Sequence, residues 1–146
     1  MLVGQYRSKI SPKGRIAFPK KFRDELGDEL IVTLGYENSL MVVSAKEWQS
    51  LIEATKDKSV VLGSARDTNR FILGGASEID LDEQGRFVVP SYLRDYAKIR
   101  EEVVFLGLNK YVEIWDKNAW DEYQGQLKEN IGEIAERLSE FNADKR

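Results

Sequence analysis

The side chains best suited to chemistry are two arginines that each follow a glycine: Arg15 in Ser11-Pro12-Lys13-Gly14-Arg15 and Arg86 in Asp82-Glu83-Gln84-Gly85-Arg86. A guanidinium on a tight turn can close an ion pair with a nearby carboxylate, or its planar fork of donors can meet a phosphate or a guanine edge. The neighbours separate the two cases. Arg86 has Asp80, Asp82 and Glu83 within six residues, which favours an internal pair. Arg15 has no acid before Asp24 and shares its stretch with Arg7, Lys9 and Lys13, which favours contact with DNA. Lys20 and Lys21 open a helix and suit either phosphate contact or a solvated face. Arg23 and Arg94, beside Asp24 and Asp95, are expected to be internal salt links. The candidate DNA-contacting set is Arg7, Lys9, Lys13, Arg15 and Lys20, with Arg86 as counterpart in the second string.

Other chemistries have little to work with. The 146 residues include no histidine and no cysteine, which removes disulfides, thiol nucleophiles, zinc-type sites and every Ser/His or Cys/His arrangement. Asp80, Asp82 and Glu83 could hold a hard cation or exchange protons, but no second cluster or phosphate loop converges on them, and Gly74-Gly75 reads as a turn. The expectation is a non-enzyme with no cofactor, no metal and no small-molecule substrate. No apolar run reaches the roughly 18 residues a membrane span needs, and Met1 to Gln5 carries no signal pattern, so no membrane partner and a cytoplasmic location are expected.

The net charge of −3 argues against a nucleic-acid binder only as an average. Met1 to Arg23 holds seven basic residues and no acid, whereas Glu113 to Arg146 holds nine acids against five bases. With a Debye length of about 8 Å in physiological salt, a ligand at the N-terminal surface senses the local cluster.

The elements that position these residues come as two diverged copies. Gly85 lies 71 residues after Gly14, and Gly-Arg-x-x-x-Pro coincides in the two, followed by Phe22-Arg23-Asp24 against Leu93-Arg94-Asp95. Each copy reads as a β segment (Gln5 to Ile10; Ser77 to Leu81), a glycine turn, a short β segment (Ile16 to Phe18; Phe87 to Val89) and a proline-led helix (Pro19 to Leu26; Pro90 to Ala97). Two further strands follow, at Leu30 to Leu34 and Leu40 to Val43 and at Glu102 to Leu106 and Tyr111 to Trp115. Ser44 with Glu47 forms a capping box, and Asp116 caps a second helix. The organisation predicted is a first unit over 1–54, a connector over 55–76, a second unit over 77–124 and a continuation of the C-terminal helix over 125–146. On that helix Trp120, Tyr123, Leu127, Ile131, Ile134, Leu138 and Phe141 form one apolar stripe, suited to packing on its own barrel or between subunits.

β-turn-β-helix-β-β units with Gly-Arg at the first turn and Pro-x-x-x-Arg after it resemble the SpoVT/AbrB family of swapped-hairpin DNA-binding domains. Two in tandem narrow the resemblance. From Met1-Leu2-Val3-Gly4 through Gly75-Ala76, Val89-Pro90, Leu93-Arg94-Asp95-Tyr96-Ala97 and Glu113-Ile114-Trp115-Asp116, about the whole chain is similar to the MraZ family. The resemblance implies an α+β, mainly β fold: two SpoVT/AbrB-like units forming a swapped-hairpin (double-split) β-barrel, plus the long amphipathic helix. It also implies a nucleoid-associated transcriptional regulator that forms a ring-like homo-oligomer on double-stranded DNA, at direct repeats upstream of the division and cell-wall gene cluster. An AbrB-like antitoxin, binding DNA and a toxin, is the alternative. The family carries Asp-x-x-Gly-Arg in both copies; Ser11 stands in place of the first aspartate, so a serine must hold that turn.

Overall fold

A computed structural model of the protein describes residues 1–55 and 63–144. Among these the elements run β1 (Leu2–Lys9), β2 (Arg15–Ala17), α1 (Lys20–Leu26), β3 (Leu30–Leu34), β4 (Leu40–Ser44) and α2 (Ala45–Thr55). After residues 56–62 of the connector, which lie outside the described residues, come α3 (Gly63–Ile72), β5 (Ser77–Ile79), β6 (Arg86–Val88), α4 (Ser91–Ala97), β7 (Glu102–Asn109), β8 (Val112–Asp116) and α5 (Lys117–Asp144). The last two residues of the 125–146 span also lie outside. Helix α3 lies within the connector and was not expected from the sequence.

Local chemistry explains the boundaries. Pro19 and Pro90 precede α1 and α4, where a missing N–H costs nothing. The Ser44 hydroxyl accepts the Glu47 N–H at 3.1 Å to start α2, and the Asp116 carboxylate accepts the N–H groups of Ala119 (3.1 Å) and Arg100 (3.2 Å), starting α5 and tying it to the loop before β7.

The two copies are interlocked strand by strand. One antiparallel sheet has the order β1-β7-β8-β4-β3-β5, so each copy's first strand pairs with the other copy's third. Its centre joins β4 to β8 with Met41 opposite Glu113, and a second, two-stranded ladder joins β2 to β6 with Ile16 opposite Phe87. Equivalent residues face each other at both places, so an approximate two-fold axis relates the copies. The turns interlock as well: the Phe18 N–H donates to the Gly85 carbonyl (2.9 Å) and the Val89 N–H to the Gly14 carbonyl (2.8 Å).

The sheet is not the closed barrel expected. Among the described residues, strands β1 and β5 are its open edges, and β2 and β6 hydrogen-bond as strands only to each other. Each of these two is three residues long, ended by a glycine turn on one side and by a proline shortly beyond the other, and proline offers no donor to extend a ladder. Side chains do the closing instead. Ile16, Phe18, Phe22, Phe87, Val89 and Leu93 are buried in one core with Phe105 and Ile114 from the sheet, and Phe18 meets the Phe105 ring edge-on at 5.3 Å.

The opposite face of the sheet carries Val104, Leu106 and Trp115, covered by Trp120, Tyr123 and Leu127 of α5. That accounts for only the first part of the helical stripe. From Lys128 to Ala143 every residue is exposed, Ile131 and Leu138 included.

Strand β1 approaches β7 closely where Gly4 stands opposite Gly107. A Cβ on Gly107 would lie 2.5 Å from the Val3 nitrogen and 2.7 Å from the Leu2 carbonyl carbon, both backbone atoms with no rotamer to yield. Gly107→Ala should therefore push β1 off the sheet and lower stability by about 3 kcal/mol, as severe overpacking does. Denaturant unfolding checks this; a midpoint equal to wild type would show that the two strands separate without penalty.

Candidate nucleic-acid interface

The β2–β6 ribbon is where the candidate residues meet. Strand residues alternate between faces, so Ile16 and Phe87 turn inward while Arg15, Ala17, Arg86 and Val88 share the outer face. Arg15 is paired with Val88 and Ala17 with Arg86, which sets the two arginines on a diagonal, about 7–8 Å apart at Cα. One groove of about 480 Å³ is lined by Lys9, Lys13, Arg15, Ala17 and Arg86 together.

Both turns have the same backbone design. The Gly14 N–H donates to the Ser11 carbonyl and the Gly85 N–H to the Asp82 carbonyl, each at 2.9 Å, and both glycines sit at positive φ (81° and 76°). The side chains at the first turn position then diverge. Asp82 accepts the N–H groups of Gln84 and Arg86 on one oxygen, both at 2.9 Å, and the Arg86 Nε on the other at 3.0 Å. The Arg86 N–H bond is foremost among the contacts that hold the Asp82 carboxyl below its ordinary range, with Gln84 and the guanidinium adding to it against a smaller opposing effect of burial. Among the described residues the Ser11 hydroxyl accepts the Arg15 N–H alone, at 3.1 Å. Serine thus keeps the turn but, among the described residues, leaves the Arg15 guanidinium without a carboxylate to steer it, whereas Arg86 is held through Nε.

Not every candidate lies there. Arg7 is ion-paired with Asp121 of α5 at 3.2 Å, on the side of the sheet covered by that helix, and Lys117 meets the same carboxylate at 3.4 Å. Lys20 is exposed at the start of α1 and does not line the groove. The structure therefore brings Lys9, Lys13, Arg15 and Arg86 together and leaves Arg7 and Lys20 outside.

The internal salt links expected of Arg23 and Arg94 are not found among the described residues; the neighbouring Asp24 and Asp95 cannot supply them, because consecutive residues on a helix point to different sides. Each guanidinium instead packs on the other copy's turn. A Cβ on Gly14 would lie 2.7 Å from the Arg94 Cζ, and one on Gly85 would collide with Arg23. The Nε atoms of both arginines are buried without a hydrogen-bond partner among the described residues. Ala17 and Val88 reach the same face, and the alternation in Arg15-Ile16-Ala17 and Arg86-Phe87-Val88 is the sequence signal for it.

Fold and site together define a chain of two interlocked copies of one β-rich unit, presenting a basic two-stranded ribbon. Two matches of one family, described as "MraZ protein, putative antitoxin-like", cover residues 1–71 and 72–142. The chain belongs to the MraZ family. Among its relatives, the "Transcriptional regulator MraZ" of Caldanaerobacter subterraneus subsp. tengcongensis and that of Thermoanaerobacter pseudethanolicus are each 44% identical over 142 residues, covering 97% of this chain and 99% of theirs. That of Natranaerobius thermophilus is 41% identical over the same share of each chain.

Proposed function

We propose that the protein is a sequence-specific DNA-binding transcriptional regulator that lays its β2–β6 ribbon in the major groove of double-stranded DNA. The observation that carries this is the convergence of Lys9, Lys13, Arg15 and Arg86 on one groove of a chain whose net charge is negative. A two-stranded ribbon fits a major groove about 12 Å wide, and the arginine forks match the O6 and N7 acceptors of guanine. The lysines at its margin suit phosphates, which would position the ribbon without reading sequence.

One ribbon is a small footprint, so the proposal includes a ring-like homo-oligomer on direct repeats upstream of the division and cell-wall gene cluster, in the cytoplasm and associated with the nucleoid. Assembly would gather the ribbons and raise their effective concentration on repeated sites. The names of the relatives support a regulator, and the exposed half of α5 supports assembly. The antitoxin reading is less supported, since it calls for an unstructured toxin-wrapping tail and α5 is one continuous helix.

A gel shift on the DNA upstream of the protein's own gene, titrated with salt, tests this. Affinity should fall by roughly 0.9 log unit per log unit of salt for each phosphate contact, and scrambling the repeats should leave only weak binding at low salt. Affinity indifferent to salt, or equal for scrambled DNA, would overturn the proposal.

A further inference from the structure

The outer face of the ribbon is not uniformly basic. Its four side chains form a checkerboard: Arg15 and Arg86 on one diagonal, Ala17 and Val88 on the other. Val88 is 50% exposed, although the residues on either side of it, Phe87 and Val89, are buried in the core. The core thus does not require valine there. Directly opposite residues on antiparallel strands have Cβ atoms about 4.5–5.5 Å apart, so Val88 stands beside the root of Arg15.

We infer that Val88 is a specificity-determining residue of the ribbon and packs on the C5-methyl group of a thymine next to the guanine met by Arg15. This rests on the DNA-binding reading above. In the major groove the thymine methyl is the one apolar feature of a base edge, and an apolar side chain recognises it without hydrogen bonds. Adjacent base pairs are 3.4 Å apart along the axis, so a cross-strand neighbour of Arg15 falls within reach of the next pair. By the pseudo-two-fold axis, Ala17 stands beside Arg86 in the same relation, with a shorter side chain and a weaker contact.

The experiment compares two duplexes of the DNA upstream of the protein's own gene, one with thymine and one with uracil throughout, against wild type and Val88→Ser. Wild type should bind the uracil duplex at least about fourfold more weakly, the factor that removing one methyl group from water is worth, and more if several ribbons bind at once. Val88→Ser, with melting temperature and subunit number unchanged, should lose affinity for the thymine duplex and shrink the thymine-to-uracil ratio by about the same factor. Val88→Thr, which keeps the branched shape and one methyl group, should fall between them and serves if the serine variant folds poorly. Equal affinity of wild type for both duplexes, or a ratio unchanged in the variants, overturns the inference while leaving DNA binding intact. Dissociation of the oligomer by Val88→Ser would make Val88 a subunit contact and overturns it too. Failure of wild type to bind either duplex removes the DNA-binding reading and this inference with it.

Discussion

Arg15→Ala should keep the fold and lose nearly all specific DNA binding. The side chain is exposed, Ser11 bonds to its backbone N–H, and among the described residues no carboxylate is paired with it, so truncation leaves no partner there unsatisfied. A good bidentate contact to a base is worth about 1–3 kcal/mol, and an oligomer on repeated sites would feel that loss once per bound ribbon. Arg86→Ala is expected to resemble it closely. Local acids alone suggest that Arg86 is a structural residue, but Asp82 meets its guanidinium through Nε, and the carboxylate keeps its bonds to the N–H groups of Gln84 and Arg86 when the guanidinium is removed. The pair is about two-fifths exposed, so its contribution to stability is small. Thermal melts alongside binding isotherms would read both effects. Full DNA affinity in Arg86→Ala would mean that Asp82 holds this arginine away from DNA, and that the first copy alone makes contact.

The double variant Ile131→Asp, Leu138→Asp should dissociate the assembly and reduce affinity for repeated sites by about 10²–10⁴-fold, the usual scale of lost avidity. Beyond Leu127 the described residues of α5 are exposed to Ala143, and most helical stability in proteins comes from packing an amphipathic face. An amphipathic segment that stays helical needs a surface to cover its stripe, and Ile131 and Leu138, 59% and 60% exposed, are its outermost aliphatic residues. Because neither touches the core, the secondary structure of each subunit should survive, as circular dichroism would show. Leu127→Asp should behave differently: Leu127 packs against the Trp115–Trp120 cluster, and a carboxylate buried there has no partner. Light scattering that gives the mass of a single chain for the wild-type protein would exclude assembly and the avidity that depends on it.

Much of this was legible in order along the chain. The 71-residue repeat, the glycine turns, the proline-led helices, the capping residues Ser44 and Asp116 and the period of α5 are local patterns, and each reports dihedral preference, a missing N–H or one face of a helix. Helix α3 escaped because Gly63–Ile72 is polar on most positions and buries none of its residues, so its pattern carried little core signal. The separation of Arg15 from Arg86 by neighbouring acids was likewise a one-dimensional reading, accurate for the Asp82 pair and silent on where either guanidinium ends up.

What the chain determined by itself was the inventory: two copies of a β-rich unit, a basic first segment, no histidine or cysteine, and a glycine before each arginine. Tertiary structure decided the pairing between copies. Nothing local says that β2 pairs with β6 rather than with a strand of its own unit; that choice follows from burying Ile16 and Phe87 against Phe18 and Phe105 in a common core. The pairing then sets Arg15 and Arg86 on one face, places Val88 beside the first, leaves Arg7 with Asp121, and packs Arg23 and Arg94 on the glycines of the opposite turns. Strand register is set by which side chains leave water together, a property of the whole core, and so the site exists only once both copies have folded around each other.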